Sequence, residues 1–354
     1  MPAPTQADTT IKTTVVGSYP MIDWLRAAPS RQALQDATAV VLKTQELAGL
    51  DVVADGELYR FDINHPETNG MIDYFVRPLD NVRSTVTRAD IQAFQKQKGM
   101  GFRKQPAAIV EGPLGPGALN LVADYRRVRA LTQAPLKFTI TGPHMLSKTL
   151  LDAHYRDQPA LAYALAEVMA EQVREIDAEI VQFDEANITG APQEADWAAR
   201  ALNVLLDAVP GTPAVHMCFG NYGGQSIQRG TWKALIDYIN RLHADHMVLE
   251  FAFRGYDEVQ YLKEVRAEIG LGIGVIDIKT TVVEPPDEVA RRIEAAARHV
   301  GVERIRYVHP DCGFWMLQRS IADGKMRALV QGRDLFEGRR SGERVPTHDT
   351  LASE

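Results

Sequence analysis

The amino-acid sequence predicts an α/β fold, a single (β/α)8 TIM barrel, on three observations. Eight short apolar or β-branched runs recur along the chain, segments of helical period separate most of them, and polar residues of chemically useful type follow the runs. Strands alternating with helices build a parallel sheet, and eight such strands close into a barrel that carries its chemistry at their carboxyl ends. The 354 residues, 45% hydrophobic and 24% charged, suffice for one large domain.

Residues 1–10 are small and polar with two prolines and are expected to form a flexible tail. The barrel domain is assigned to 11–332. Its first strand, Thr13-Thr14-Val15-Val16, is β-branched and runs into the turn Gly17-Ser18-Tyr19-Pro20. Residues 31–50 carry apolar positions at helical spacing. The second strand, 51–54, ends in Asp55-Gly56-Glu57, with Arg60 and Asp62 just beyond. Residues 64–135 are irregular and rich in glycine and proline, too long for an ordinary connection, and are read as an insertion. Such an excursion suits a lid over the barrel mouth or a contact to a second copy in a homo-oligomer.

The third strand, 136–140, exits into Thr141-Gly142-Pro143-His144, and a helix is expected over 159–178. The fourth, 180–183, delivers Asp184 and Glu185, and a helix follows over 197–208. The fifth, 212–215, delivers His216-Met217-Cys218. The sixth, 246–249, delivers Glu250 and leads to a helix over 256–269. The seventh, 272–276, delivers Asp277-Ile278-Lys279, with a helix over 286–299; the eighth, 304–308, delivers His309-Pro310-Asp311-Cys312. The remainder, 333–354, is rich in arginine, glycine and serine and is expected to be a flexible tail.

A formal net charge of −7 argues against a general polyanion binder, because nucleic-acid affinity rests on lysine and arginine neutralising phosphates. No apolar run approaches membrane-spanning length. Two cysteines far apart make no disulfide framework, and no charged-then-apolar leader opens the chain, so the cytoplasm is the expected compartment. There is no glycine-rich phosphate loop and no repeat.

Both cysteines follow strands. Residues i and i+2 of a strand point to one face, so His216 and Cys218 can converge on one ion. Zinc takes cysteine, histidine and carboxylate ligands, and His216, Cys218, Glu250 and Cys312 are candidates of those types at the ends of strands five, six and eight. On residue type alone, an ordinary rim pair and a Zn2+ site both remain open.

The local sequences, taken in order, resemble the catalytic barrel of the cobalamin-independent methionine synthase family. The resemblance rests on 13–20, on Asp55-Gly56-Glu57, on Phe138-Thr139-Ile140-Thr141-Gly142-Pro143, on Gln182-Phe183-Asp184-Glu185, on His216-Met217-Cys218, on Glu250 and on Pro310-Asp311-Cys312-Gly313. It implies a zinc-dependent methyltransferase in which His216, Cys218, Glu250 and Cys312 hold Zn2+ and a substrate thiol is activated as a thiolate. Two thiolates and a carboxylate would leave that site near −1 and its bound sulfur electron-rich. Glu250 is then the plausible mobile ligand. The resemblance further implies that Ser18, Glu57 and Asp184 grip the amino-acid part of homocysteine, with Asp184 and Lys279 in catalytic roles.

Two departures stand out. The long enzymes carry a second, amino-terminal barrel that helps hold the folate donor, and this chain has one barrel, which leaves the methyl donor open. They also place a catalytic histidine where Lys279 stands, and lysine titrates well above neutrality unless tuned. Epoxyalkane:coenzyme M transferase, a zinc relative, alkylates a different thiol. Its sulfonate substrate would want cations such as Arg60 or Arg254, whereas Glu57 and Asp184 suit an ammonium. Two further alternatives are the metal-free uroporphyrinogen-decarboxylase-like branch and a zinc barrel that binds a thiol without catalysis. Simple structural roles are also available: Asp184 as a helix cap, Glu57 as partner of Arg60, Ser18 as a turn residue. His243, His246, Phe314 and Trp315 read as surface or packing residues, and His65, His144, Tyr19 and Tyr222 stay unassigned.

Overall fold

The computed structural model describes residues 11–61, 69–97, 103–221 and 226–339. Its strands are β1 (Lys12–Thr13), β2 (Val53–Ala54), β3 (Asp80–Arg83), β4 (Ile109–Gly115), β5 (Leu136–Thr141), β6 (Leu151–Asp152), β7 (Ile180–Asp184), β8 (Thr212–Met217), β9 (His246–Leu249), β10 (Gly270–Ile276) and β11 (Ile305–Pro310). Eight of them form one parallel sheet in the order β1-β11-β10-β9-β8-β7-β5-β2, which is the eight-run series expected from sequence. Parallel bridges from Thr14 to Val52 and from Ser18 to Gly56 connect the two ends of that order and close the ring.

The register decides which side chains meet. Asp184 on β7 lies opposite His216 on β8, His216 lies opposite Val248 on β9, and Met217 lies opposite Leu249. Asp184, Cys218 and Glu250 are therefore neighbours at one rim by backbone pairing alone. A small apolar cluster of Val16, Val52, Ile180, Ala214, Val248 and Tyr307 is separate from the large core, as a barrel with an inner and an outer face requires.

The helices form where local signals agree with burial. Arg31–Ala48 starts at Ser30, whose side chain accepts from Ala33 N, and stops at Gly49 in the left-handed region at φ 83°. Gln158–Val173 starts at Asp157, which accepts from Ala160 N, with Pro159 in the first turn. Ala195–Leu206 and Pro286–Val300 follow their strands as expected. Among the described residues no helix is long and apolar enough to cross a membrane.

Several expectations change. Over 256–269 the chain makes only a 3-10 segment, Asp257–Glu264: Val265 N returns to Leu262 O and Arg266 N is taken by Asn240 Oδ1 at 2.8 Å, so no helical ladder runs past Glu264. The body continues past 332: the last helix is Arg319–Phe336, and Arg333, 2% exposed, donates to Asp51 Oδ2 at 2.7 Å. Glycine hides this helix in the sequence. Gly332 is there because a Cβ would come within 2.4 Å of Val289 on the neighbouring helix. The described parts of 64–135 are ordered elements: helices Asp73–Val76, Arg88–Lys96 and Leu121–Arg129, and strands β3 and β4, which with β6 make a second, three-stranded sheet. Asp62, His65 and Tyr222, the two glycines Gly99 and Gly101, and residues 1–10 and 340–354 lie outside the described residues.

Candidate metal centre

Three of the expected ligands come together. One donor atom each from His216, Cys218 and Cys312 lies within 4.8 Å of the others. The sulfurs of Cys218 and Cys312 are 3.9 Å apart, far beyond the ~2.05 Å of a disulfide. Two sulfurs each about 2.3 Å from a tetrahedral zinc would stand roughly 3.8 Å apart, so the observed spacing fits that ion. Met217 points away between them, fully buried, as strand alternation demands.

His216 is prepared for the same task. Its Nδ1 pairs with the Val248 carbonyl at 3.0 Å, which makes Nδ1 the protonated nitrogen, while Nε2 is buried without a hydrogen-bond partner. Hydrogen bonding from Cys312 and burial push the Cys218 thiol well above its usual value. For His216, burial lowers the pKa while Cys218, as an anion, and Asp184 raise it, to about 9 on balance. These two tendencies conflict, because a protonated Cys218 removes the charge that would hold His216 cationic; the buried, unpartnered Nε2 favours the neutral ring. A dication would expel the thiol protons and use that lone pair.

Glu250 stands beside this cluster and is not part of it. Fully buried, it accepts from Lys279 Nζ through Oε1 at 2.5 Å and from Phe219 N through Oε2 at 2.7 Å. Lys279 is equally enclosed, with 2% of its side chain exposed and Nζ 4.6 Å from the Phe253 ring centre. Burial pulls its pKa down, but Glu250 more than restores it, so the ammonium keeps its proton. That commitment suits a fixed charge better than a proton donor.

The residues expected to hold an amino acid occupy the same rim. Asp184, 3% exposed, accepts from Gln182 Nε2 at 2.8 Å and caps no helix; burial raises its carboxyl to about 6, with Glu57 adding to the rise. Glu57, at φ 61°, accepts from Thr139 Oγ1 at 2.6 Å and lies 3.4 Å from Arg60, so the pairing open from sequence is present. A Cβ on Gly17 would come within 2.2 Å of Glu57 Oε1, which explains the glycine one residue before Ser18. Ser18 Oγ in turn occupies the space beside Gly313, next to Cys312, and its carbonyl accepts from Phe314 N at 2.8 Å.

Sequence reasoning passed over several residues that build this rim. Asp311 is fully buried and gathers the backbone N–H groups of Phe251, Ala252 and Phe253 at 2.7–2.9 Å, fixing the turn after Glu250; burial and Glu250 raise its carboxyl to about 7. Its place between His309 and Cys312 in a strand-exit motif was the available signal. Lys137 gave none, since it sits inside a strand, and Gln182 stood in the motif before Asp184 without a role of its own. Glu185 faces elsewhere, accepting from His144 N and Met145 N at the start of the helix Pro143–Thr149. His144 is buried against Trp197 and bonds Glu194 at 2.7 Å. Trp315 is 43% exposed and stacks on Phe61, whereas Phe314 is buried. A hollow lined by Arg129, Pro135, Leu136, Glu179 and Thr212 opens at the amino ends of β5, β7 and β8, the opposite end from the cluster.

Comparison with known proteins points the same way. Residues 11–333 match the family model described as "Cobalamin-independent synthase, Catalytic domain". A methionine synthase of Sulfurisphaera tokodaii is 28% identical over 339 residues, covering 91% of each chain. One from Thermococcus kodakarensis is 27% identical, covering 92% of this chain and 93% of its own. The structure of a B12-independent methionine synthase from Shewanella sp. W3-18-1, in complex with selenomethionine, superposes with a TM-score of 0.77 at 24% identity, over 93% of this chain and 98% of that one, and shares its fold.

Proposed function

Because the chain belongs to the cobalamin-independent synthase catalytic-domain family, we propose that it is a zinc-dependent thiol methyltransferase that converts homocysteine to methionine. The observation that carries this reading is the three-donor cluster of His216, Cys218 and Cys312 at the carboxyl ends of β8 and β11. These residues would hold the ion, and a zinc ion there supplies the positive charge that keeps a substrate sulfur as thiolate at neutral pH.

The remaining work falls to the chain's own side chains. Glu57 and Asp184 present buried carboxylates where an amino-acid ammonium can lie, and Ser18 offers a hydroxyl on the Cys312 side. Desolvation makes such an ion pair stronger than it would be at a surface. The sulfur attacks an electrophilic methyl carbon in line: a carbon–sulfur bond forms, and the donor leaves with the electron pair of its broken bond to carbon.

Two observations favour an amino-acid thiol over coenzyme M. Arg60, a candidate for holding a sulfonate, is turned inward: its Nη2 donates to Thr139 O at 2.5 Å, and four aromatic rings surround it. Arg254 is spent on Gly230 O at 3.0 Å and on the face of Phe219. Each cation already has a carboxylate partner within the chain, Glu57 for Arg60 and Glu258 for Arg254, both at 3.4 Å.

The test is direct. Protein purified without added metal should carry close to one zinc per chain by inductively coupled plasma measurement, and Cys312→Ser should lose most of it. Incubation with homocysteine and isotopically labelled methyl donors should give labelled methionine by mass spectrometry. Zinc content that Cys312→Ser leaves unchanged would sink the metal assignment; zinc without methionine from any donor would leave a thiol receptor, not a catalyst.

A further inference from the structure

We propose that Tyr19 is a positioning residue for the amino-acid end of the substrate: through the bond from its hydroxyl to Asp323 on the last helix, it holds Ser18 in place between Glu57 and Cys312. The inference rests on the homocysteine reading above and names a group, outside the pocket, that sets how the head of the thiol is held.

The turn 17–20 has little regular backbone structure to fix it. The ladder between β1 and β11 ends at Thr13 and Val308, and past it come the isolated bridges of Thr14 with Val52 and of Ser18 with Gly56. At the rim the turn touches two neighbours at once. On one side Tyr19 N donates to Gly56 O at 3.0 Å, one residue before Glu57. On the other, Ser18 O accepts from Phe314 N at 2.8 Å, and Ser18 Oγ fills the space beside Gly313, where a Cβ would strike it. Ser18 thus stands where the exit of β2 meets the exit of β11. A shift of this turn would move its hydroxyl relative to Glu57 and Cys312 together.

Tyr19 supplies the missing anchor. Neighbouring residues of an extended segment point in opposite directions, so with Ser18 turned to the rim the Tyr19 ring lies toward the helix Arg319–Phe336. Tyr19 is 2% exposed and packs on Gly56, which has φ 76° and where a Cβ would come within 3.0 Å of Tyr19 Cβ. Its hydroxyl donates to Asp323 Oδ1 and accepts from Arg319 Nε at 3.2 Å. Burial, with the bond to Asp323, pushes the phenol well above its usual range and keeps it the donor. Arg319 and Asp323 approach each other directly only to 4.0 Å, so the tyrosine oxygen joins them.

The helix end of this link is the fixed one. Ala322 and Met326, on the same helix as Asp323, are fully buried, whereas the turn depends on a few single bonds. A hydrogen bond to a carboxylate is stronger than one between neutral groups, and removing its donor leaves a half-buried charge short of a partner. Loss of the link is therefore felt by the turn, and through it by Ser18.

The experiment titrates the zinc-loaded full chain calorimetrically with L-homocysteine and with mercaptopropanol, a thiol of similar length without the amino-acid head. Wild type, Tyr19→Phe, Asp323→Ala, Asp323→Asn and the double variant Tyr19→Phe/Asp323→Ala are compared. Tyr19→Phe and Asp323→Ala should each weaken homocysteine binding more than threefold, about tenfold being expected, and leave mercaptopropanol within twofold of wild type. The double variant should stay within threefold of the weaker single one, because both changes cut one link. Asp323→Asn keeps an acceptor for the tyrosine hydroxyl and should remain within threefold of wild type. Homocysteine affinity within threefold of wild type in Tyr19→Phe, or a loss shared equally by the two thiols, overturns the proposal, since a merely structural tyrosine would not separate them. If Tyr19→Phe does not fold, Asp323→Ala and Asp323→Asn decide by the same limits. Wild-type protein that binds homocysteine no better than mercaptopropanol overturns the homocysteine reading and this inference with it; a wild-type preference that survives unchanged in the variants overturns this inference alone.

Discussion

Lys137 Nζ donates to Gln182 Oε1 at 2.8 Å inside the barrel, and this settles which way the Gln182 amide faces. With its oxygen taken, Gln182 must turn Nε2 toward Val16 O and Asp184 Oδ1, at 2.9 and 2.8 Å. Lys137 is itself fully buried, with burial lowering its pKa to about 7 against the pull of Asp184. Replacing it by methionine keeps the stem and removes the charge. In the zinc-loaded protein, Lys137→Met should weaken homocysteine binding by about tenfold, roughly 1.4 kcal/mol, because Asp184 loses its fixed donor. Calorimetric titration measures this, and the zinc content should not move.

Gly17 makes a second prediction about the same pocket. A methyl group there must displace Glu57 Oε1, which would sit 2.2 Å from it and is already held by Thr139 and Arg60. Overpacking of this kind costs about 1–3 kcal/mol. Gly17→Ala should lower the unfolding midpoint in urea and raise the KM for homocysteine, with zinc stoichiometry intact. An unchanged KM would show that Glu57 does not face the substrate.

How much of this was legible depended on whether a residue's partner lies near it in the chain. The eight strands were readable because their runs are apolar or β-branched and each meets only its neighbours. His216, Cys218 and Cys312 were readable because a chain with two cysteines, both at strand exits, leaves few ways to use them. The partner of Glu250 was hidden: Lys279 is 29 positions away, beyond the end of the neighbouring strand β10, and only the pairing of β9 with β10 brings them together. Lys137 reads as an outward lysine in a strand, and nothing local tells that Val15 O and Gln182 wait for it. The expected helix over 256–269 stops early for a similar reason, since Asn240, 26 positions away, takes the Arg266 N–H.

Metal binding should be visible as stability. An ion that binds only the folded chain stabilises it by about 2.7 kcal/mol when free zinc is ~100-fold above its Kd. Thermal unfolding should therefore move to higher temperature as zinc is added to chelator-treated protein. Cys312→Ser should flatten that dependence, since it removes a donor whose sulfur stands 3.9 Å from its partner's. A zinc-dependent shift of equal size in the variant would place the ion elsewhere.

Acid should destabilise the fold from the other end of the barrel. His246 begins β9, is fully buried and stacks on Tyr307 with ring centres 4.3 Å apart. Burial lowers its pKa to about 4, only partly opposed by Asp245, whereas in the unfolded chain it titrates near 6.5. Above pH ~6.5 both states are neutral and the residue's contribution is at its full value. As pH falls from ~6.5 towards ~4, the unfolded chain takes up a proton that the folded one refuses, so stability is lost across that window. At pH ~5 the loss from this residue should be about 2 kcal/mol. Urea unfolding at pH 7.5 and pH 5 measures it, with His246→Gln as the reference. The variant starts lower, having lost the ring stack, but should lose about 2 kcal/mol less between the two pH values. An identical loss in both proteins would mean that other groups carry the acid sensitivity and that His246 accepts its proton without cost.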